Sequence, residues 1–510
     1  MIQNLSRAKK TVYNIVILGV YEIVAFLCNL LLPRLIIGTY GSAYNGIVSS
    51  VSQFLNIVAL LRLGVAGATR VELYKSLANN DIRQTSAIVK ATEKYLRKIS
   101  LVIIIYLSCM AVVYPLLVNT AYSNFEVGSL IIAIGIGTFS QYFFGLTYQT
   151  LLQADQKLYI YYIIQIVANI VNTFLSCILI CNGFSIQIVK YASATIYTIS
   201  PMVLRWYVTK HYNLDNSAKP DMIALSKRKD VLATSIANII HENTDVVVLT
   251  LFMDVKIVSV YTVYNLVIYG LRQLMQIFVS SLESPFGDMW VKKEYNNIEN
   301  GLKKYEFFIF SFVSIIFSCA MVLILPFIKL YTNNVSDVNY IIPGYAFFAL
   351  FALAFYCYRM PYMTIVQAAG YYKETKSGAF IEASLNIIIS IILTLKIGII
   401  GVAVGTLVAN IFRTVQYAIF MSKQMIKRNM FIPFKGIIWS LINCVCVVTI
   451  VMFTNMVIGI NINKWMDWCG FGILCFIIAV LVWSVSSVLF YRKDFMDLRH
   501  QLFSRFGRKE

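Results

Sequence analysis

Charge is scarce in this chain, and acid scarcer still. Of 510 residues only 13% are Asp, Glu, Lys or Arg, and 24 acidic residues stand against 43 basic ones; a soluble domain carries roughly twice that share of charge. With 59% hydrophobic residues and a mean hydropathy of +0.72, the sequence is that of an integral membrane protein. The ten cysteines show neither the paired spacing of a zinc site nor an even set in exposed loops, and read as small apolar packing residues. No Walker motif is present, so ATP is not the evident driver, and Gly135 and Gly137 lack the third glycine and strand context of a nucleotide loop. No Ser/His/Asp or Cys/His set emerges; of three histidines only His241 lies in an apolar window. Long loops are missing too, which leaves no room for a soluble catalytic domain and weighs against a membrane glycosyltransferase or polysaccharide polymerase. No enzyme activity, cofactor or metal is therefore expected. The first apolar segment is full length and lacks a small-residue cleavage site, so it is expected to remain as a span.

Apolar windows of about 20 residues, the length that crosses a bilayer core of about 30 Å, recur throughout. They cover roughly 13–33, 44–66, 99–118, 127–149, 159–181, 186–206, 231–252, 257–280, 306–328, 340–366, 378–396, 401–421, 436–458 and 468–490. Lipid offers no partner to open backbone groups, so these windows must be helices. With the N-terminus placed in the cytoplasm, 33 of the Lys and Arg residues fall in inside loops and tails against 5 outside (Arg34, Lys256, Lys329, Lys396, Lys464). That bias predicts both termini in the cytoplasm and accounts for the net charge of +19 without nucleic acid. The larger inside loops, near 70–98, 207–230 and 283–305, read as amphipathic basic connectors.

Sliding the chain on itself by 214 residues aligns 148–179 with 362–393 without gaps, matching Tyr148 with Tyr362, Gln153 with Gln367, Asn172 with Asn386 and Ser176 with Ser390 among eight identities. Both windows straddle a loop between an even and an odd span. The expected fold is all-α, about 14 transmembrane helices: a six-helix bundle over 1–206, a cytoplasmic linker over 207–230, a second six-helix bundle over 231–421 related to the first by an axis along the membrane normal, two added helices over 436–490, and a basic tail over 491–510. Two such bundles are expected to enclose a cavity at their seam and to open it to alternate sides.

Ionisable groups at bilayer depth each cost about 2.5–3.5 kcal/mol facing lipid, so they are expected to face that seam. Span 7 places Thr234, Asn238, His241 and Asp245 on one helical face, with Glu242 adjoining. Span 1 offers Asn14, Glu22 and Asn29, and span 2 Asn45, Ser49, Ser52 and Asn56. Glu22, His241, Glu242 and Asp245 are candidates to hold a proton or a cation; the alternative for each is a structural hydrogen-bond network. Four arginines, Arg62, Arg272, Arg359 and Arg413, sit in even-numbered spans on the cytoplasmic half. Guanidinium forks onto phosphate oxygens, so such a group suits a diphosphate. Snorkelling to headgroups is the competing reading and the favoured one for Arg413, whereas Arg272 and Arg359, flanked by Tyr269, Tyr356 and Tyr358, lean to the lumen. Lys190 reads as an interface anchor. Gly401 and Gly405 form a small-xxx-small pair that permits close helix contact.

Several stretches, "LLPRLIIGTYGSAYNGIVSSVSQFL" (31–55), "ELYKSLANND" (72–81), "LLQADQK" (151–157), "NTDVVVLTLFMDVKIVSVYTVYNLV" (243–267) and "QAAGYYKETKSGAFIEASLNIIISIIL" (367–393), together resemble the Wzx-type polysaccharide and O-antigen flippases of the multidrug/oligosaccharidyl-lipid/polysaccharide exporter superfamily. The resemblance implies a multi-pass protein of the bacterial inner membrane that moves undecaprenyl-diphosphate-linked oligosaccharide from the cytoplasmic to the periplasmic leaflet, in concert with polysaccharide-assembly proteins. It also implies that Arg62, Arg272 and Arg359 meet the diphosphate, while Glu22, Glu242 and Asp245 meet a coupling ion, H⁺ or Na⁺. The alternatives are a cation-coupled multidrug exporter of the same superfamily, whose cavity should be dominated by carboxylates, or a membrane glycan polymerase or ligase.

Overall fold

The structure, a computed structural model, describes residues 7–58, 60, 63–118, 122–215, 217–221, 243–493 and 495–496. Among the described residues every regular element is helical. In chain order these are α1 (Arg7–Tyr40), α2 (Ser42–Ile57), α3 (Leu63–Ala78), α4 (Ile82–Leu117), α5 (Asn124–Ala154), α6 (Leu158–Cys181), α7 (Ile186–His211), α8 (Asn243–Phe252), α9 (Val255–Val291), α10 (Tyr295–Tyr331), α11 (Pro343–Ala368), α12 (Tyr372–Ile397), α13 (Ile399–Met425), α14 (Phe431–Ile458) and α15 (Trp465–Phe490). Wherever described, the apolar windows of the sequence coincide with helices. Among the described residues ten helices, α1, α4, α5, α6 and α10 to α15, are long and apolar enough to cross a bilayer. The other windows fall short of that standard for local reasons: α2 has only 16 residues, and α7 and α9 carry Gln187 and Lys190, and Arg272, Gln273 and Gln276, within their spans. The connectors expected over 70–98 and 283–305 are not loops. They are helix carried through from the spans and broken only by tight turns at Asn79–Asp81 and Lys292–Glu294.

The chain divides into two compact units, Met1–Thr262 with Asn334–Val338, and Val263–Asn333 with Asn339–Glu510. The first is built around Ile47, Val51, Ile103, Leu130 and Ile131. The second is built around Phe310, Phe317, Tyr358, Met360, Tyr362 and Ile365. In the first unit α2 crosses the start of α9 so closely that a methyl group at Gly46 would strike the Val255 carbonyl. Asn45 there donates to Ser259 Oγ (2.8 Å), and the Ser50 and Thr250 hydroxyls lie 2.7 Å apart. The polar stripe expected on span 2 therefore splits: Asn45 is buried in a helix crossing, while Asn56 is exposed.

The internal match in the sequence reappears as matched structure. The turn after α5 bonds Asp155 N to Leu151 O, Gln156 N to Gln153 O and Lys157 N to Leu152 O, with Gln156 at φ 59°. The turn after α11 bonds Ala369 N to Ile365 O, Gly370 N to Gln367 O and Tyr371 N to Val366 O, with Gly370 at φ 82°. These left-handed helix stops are common in themselves; their equal register 214 residues apart carries the weight. A second pair, 213 residues apart, repeats the pattern at Asn80 (φ 52°) and Lys293 (φ 59°), each followed by an acid, Asp81 or Glu294, at the start of the next helix. Asn172 and Asn386 play matching parts, each buried and donating to a hydroxyl of the following helix, Tyr197 Oη (3.3 Å) and Thr406 Oγ1 (2.9 Å). The α12–α13 crossing is tight because Gly401 and Gly405 face Leu393 and Ser390, where any side chain would collide with backbone.

The added helices belong to the second unit. Gly436 of α14 lies against the Phe310 ring. Tyr358 Oη of α11 donates to Ser440 Oγ (2.9 Å), and Ser314 Oγ of α10 reaches the same oxygen (3.0 Å). Cys319, Val447, Val451, Phe471, Cys475 and Ala479 close an apolar seam among α10, α14 and α15.

Candidate functional site: a guanidinium cluster in the second unit

Three of the four arginines singled out in the sequence, Arg272, Arg359 and Arg413, come together in the second unit, from α9, α11 and α13. Their organiser is the Tyr356 ring, one turn before Arg359 on α11. The Arg272 and Arg359 guanidinium carbons lie 4.6 and 4.4 Å from its centroid, an arrangement in which the ring quadrupole attracts each cation by roughly 0.5–2 kcal/mol. The Tyr356 hydroxyl accepts from Gln276 Nε2 (2.9 Å) and Arg272 Nη2 (3.3 Å). A single carboxylate bridges the deeper pair: Arg359 Nη1 donates to Glu382 Oε1, and Arg413 Nε lies 3.4 Å from Glu382 Oε2. Asn410 Oδ1 stands 3.5 Å from Arg359 Nη1. Arg413 also donates to the Thr375 carbonyl (2.9 Å), Gln416 Oε1 (2.6 Å) and the Tyr417 hydroxyl (3.0 Å), its guanidinium 4.3 Å above the Tyr417 ring. Gly378 makes the space, since a methyl group there would collide with both Gln416 and Arg413.

Arg359, Arg413 and Glu382 are 6%, 6% and 5% exposed; Arg272 is only partly buried. The snorkelling expected of Arg413 is thus corrected: its guanidinium is buried in the unit, against Glu382 and the Thr375 carbonyl of α12 and against Gln416 and Tyr417 of its own helix. One buried donor, Arg359 Nε, has no hydrogen-bond partner among the described residues. Chemically, two guanidiniums share one carboxylate and a third cation stands on the neighbouring Tyr356 ring, in a setting of low dielectric where charge-assisted bonds to an oxyanion are strong.

A second buried charge group ties helix ends together. Arg428, just past α13, forks onto Glu306 of α10, with Nη1 2.8 Å from Oε2 and Nη2 bonded to Oε1, while Tyr362 Oη donates to Oε1 (2.7 Å). The first unit holds a counterpart in repeat register: Glu93 bonds Arg97 Nη2 (2.6 Å), lies 3.8 Å from Arg205 Nη2, and neighbours Tyr148. Glu93 and Glu306 are 213 residues apart, Tyr148 and Tyr362 214.

The other expected site residues are placed differently. Glu22 is partly buried on α1 within electrostatic reach of Tyr162. Asp245 of α8 lies 3.5 Å from the Tyr261 hydroxyl. Asn14 ties down the α5–α6 turn, accepting from Tyr159 N and donating to the Gln156 carbonyl, and Asn29 is exposed. Arg62, Asn238, His241 and Glu242 lie outside the described residues. Sequence reasoning missed Glu382, Glu306 and Arg428. Glu382 was within reach of the rule used for Glu22, being the sole charge in the apolar run 378–395.

No protein-family model matches the chain, and no curated protein does. Solved structures do. The lipid II flippase MurJ in an inward closed conformation superposes with a TM-score of 0.70 at 16% identity, covering 93% of this chain and 98% of that one. An inward-facing multidrug resistance MATE family transporter of the MOP superfamily gives 0.60 at 13% identity over 88% and 96%; an outward-facing one gives 0.56 at 13% over 86% and 96%. The protein is therefore a multi-pass membrane protein with the fold that these flippases and transporters share.

Proposed function

We propose that the protein is a flippase of the Wzx type, carrying an undecaprenyl-diphosphate-linked oligosaccharide, a repeat unit of O-antigen, capsule or another polysaccharide, across the bacterial inner membrane by alternating access with both termini in the cytoplasm. The observation that carries this reading is the linkage of Arg272, Arg359 and Arg413 at mid-helix, the first two through the Tyr356 ring and the last two through the Glu382 carboxylate. A polyprenyl tail stays in lipid unaided, whereas a diphosphate needs cations within the bilayer, and guanidinium is the side chain best matched to it. An exporter of cationic drugs would gain nothing from three arginines at this depth, which separates the proposal from its nearest alternative. On the same reading Arg62 adds a further cation to the diphosphate path, and Glu22 and Asp245, with His241 and Glu242, couple transport to H⁺ or Na⁺. The protein would hand its cargo to polysaccharide-assembly proteins.

Binding separates these readings. Purified protein should bind a polyprenyl diphosphate more tightly than the monophosphate, and Arg272→Ala should weaken the diphosphate by roughly 10–100-fold, the worth of one charge-assisted contact. Equal affinity for diphosphate, monophosphate and neutral polyprenol would end the proposal.

A further inference from the structure

We propose that Glu382 is a built-in counter-ion that occupies the anion-binding faces of Arg359 and Arg413 while cargo is absent, and that the diphosphate enters at Arg272 and takes those faces by exchange with the carboxylate. The inference rests on the reading of this cluster as the diphosphate site and deepens it.

Four observations support it. The Glu382 carboxylate spends one oxygen on each guanidinium, bridging Arg359 and Arg413 as two oxygens of a diphosphate would. Arg272 and Arg359 both lie over the Tyr356 ring, 4.6 and 4.4 Å from its centroid, the first partly exposed and the second buried, so an anion held by Arg272 has its next cation at the same ring. Arg359 keeps a buried Nε donor with no partner among the described residues, so Glu382 and Asn410 do not exhaust what this guanidinium can bind. Glu382 is not needed for packing: a buried Arg–Glu–Arg group is in general no more stabilising than hydrophobic residues of the same volume, so its presence here calls for a reason other than stability.

Exchange has a consequence for turnover. A cluster of bare guanidiniums would hold a diphosphate tightly and release it slowly. A carboxylate that returns to the same donors competes with the cargo, lowers its affinity, and reseals the cluster once the cargo leaves. Glu382 is thus a positioning residue that acts through Arg359 and Arg413.

The test uses the full-length protein in detergent with two probes, farnesyl diphosphate and inorganic pyrophosphate, and flipping kinetics in liposomes. Glu382→Gln, which keeps shape and loses charge, should bind both probes about tenfold more tightly and lower the kcat and KM of flipping together. Glu382→Asp, which keeps the charge, should stay within about threefold of the parent. Because Glu382→Gln leaves guanidiniums buried without their counter-charge and can misfold, a balanced comparison stands beside it: Arg413→Gln against Arg413→Gln/Glu382→Gln, the double variant binding more tightly. Unchanged or weaker binding on loss of the carboxylate, in proteins that elute as the parent does, overturns the inference. So does tightening seen with farnesyl diphosphate but not with pyrophosphate, which would place the effect at the tail. Arg272→Ala keeps the two levels apart. If it leaves diphosphate binding intact, the site itself is wrong; if it weakens binding while Glu382→Gln changes nothing, only the exchange is wrong.

Discussion

Arg428→Ala should be among the most damaging single changes outside the arginine cluster. Arg428 and Glu306 form a bidentate pair whose side chains are 3% and 5% exposed. Truncation leaves the Glu306 carboxylate buried with the Tyr362 hydroxyl as its remaining donor. Breaking such a pair from one side costs about 3–5 kcal/mol, several times a surface ion pair, because the desolvation of the surviving charge is no longer offset. At about 2–4 °C per kcal/mol for a domain of 150–250 residues, the melting midpoint should fall by roughly 10 °C. The assay is thermal melting in detergent, read by loss of the monodisperse elution peak at one fixed heating rate. The double variant Glu306→Gln/Arg428→Met removes both charges, keeps an acceptor for Tyr362, and should recover most of the loss. Lys292→Ala, breaking a pair that is 58% and 62% exposed, serves as the control and should not move the midpoint. Single variants melting within about 2 °C of the parent, or a double variant that sums the two losses, would refute the reasoning.

Further outcomes follow from the same packing. Gly405→Leu should abolish recovery of folded protein, since the α12–α13 crossing leaves no room beside Ser390, whereas Gly183→Ala, at a turn with open space, should be recovered with only a small loss from its φ of 74°. Gly378→Val should weaken diphosphate binding and lower the melting midpoint together, because the new side chain displaces the buried Arg413 guanidinium from Glu382; Gly183→Ala, away from the cluster, should leave binding unchanged. Tyr356→Leu removes the ring shared by Arg272 and Arg359 and should weaken diphosphate binding several-fold, with Tyr356→Phe intermediate because the ring face persists while the hydroxyl bonds to Gln276 and Arg272 are lost.

Much of this architecture is legible in the sequence. Periodic apolar windows are long-range signals that survive local noise, so the all-helical class and the helix positions could be read from hydropathy alone. The internal match was readable because Asn172/Asn386 each donate to a hydroxyl of the following helix and Tyr148/Tyr362 lie beside Glu93 and Glu306. Pairing was not legible. Whether Arg413 reaches out to lipid or inward depends on Glu382, thirty-one residues earlier on a different helix, and hydropathy carries no information on which faces meet. Gly378 shows the same limit: in sequence it is one more small residue in a helix, and only packing reveals that it opens the space for Arg413 and Gln416. The stripe on α2 read as a uniform polar face, yet crossing by α9 buries Asn45 and leaves Asn56 in the open. Periodicity identifies a face and does not say what covers it.

The most direct measurement is transport itself: parent protein and Arg272→Ala in liposomes loaded with fluorescent undecaprenyl-diphosphate oligosaccharide in one leaflet, its arrival in the other followed by quencher accessibility. The account predicts saturable flipping by the parent, no chemical change in the lipid, and a rate about tenfold or more lower for Arg272→Ala. Parent liposomes that leave the lipid in place while expelling a cationic dye, or an Arg272→Ala protein that flips at the parent rate, would contradict it.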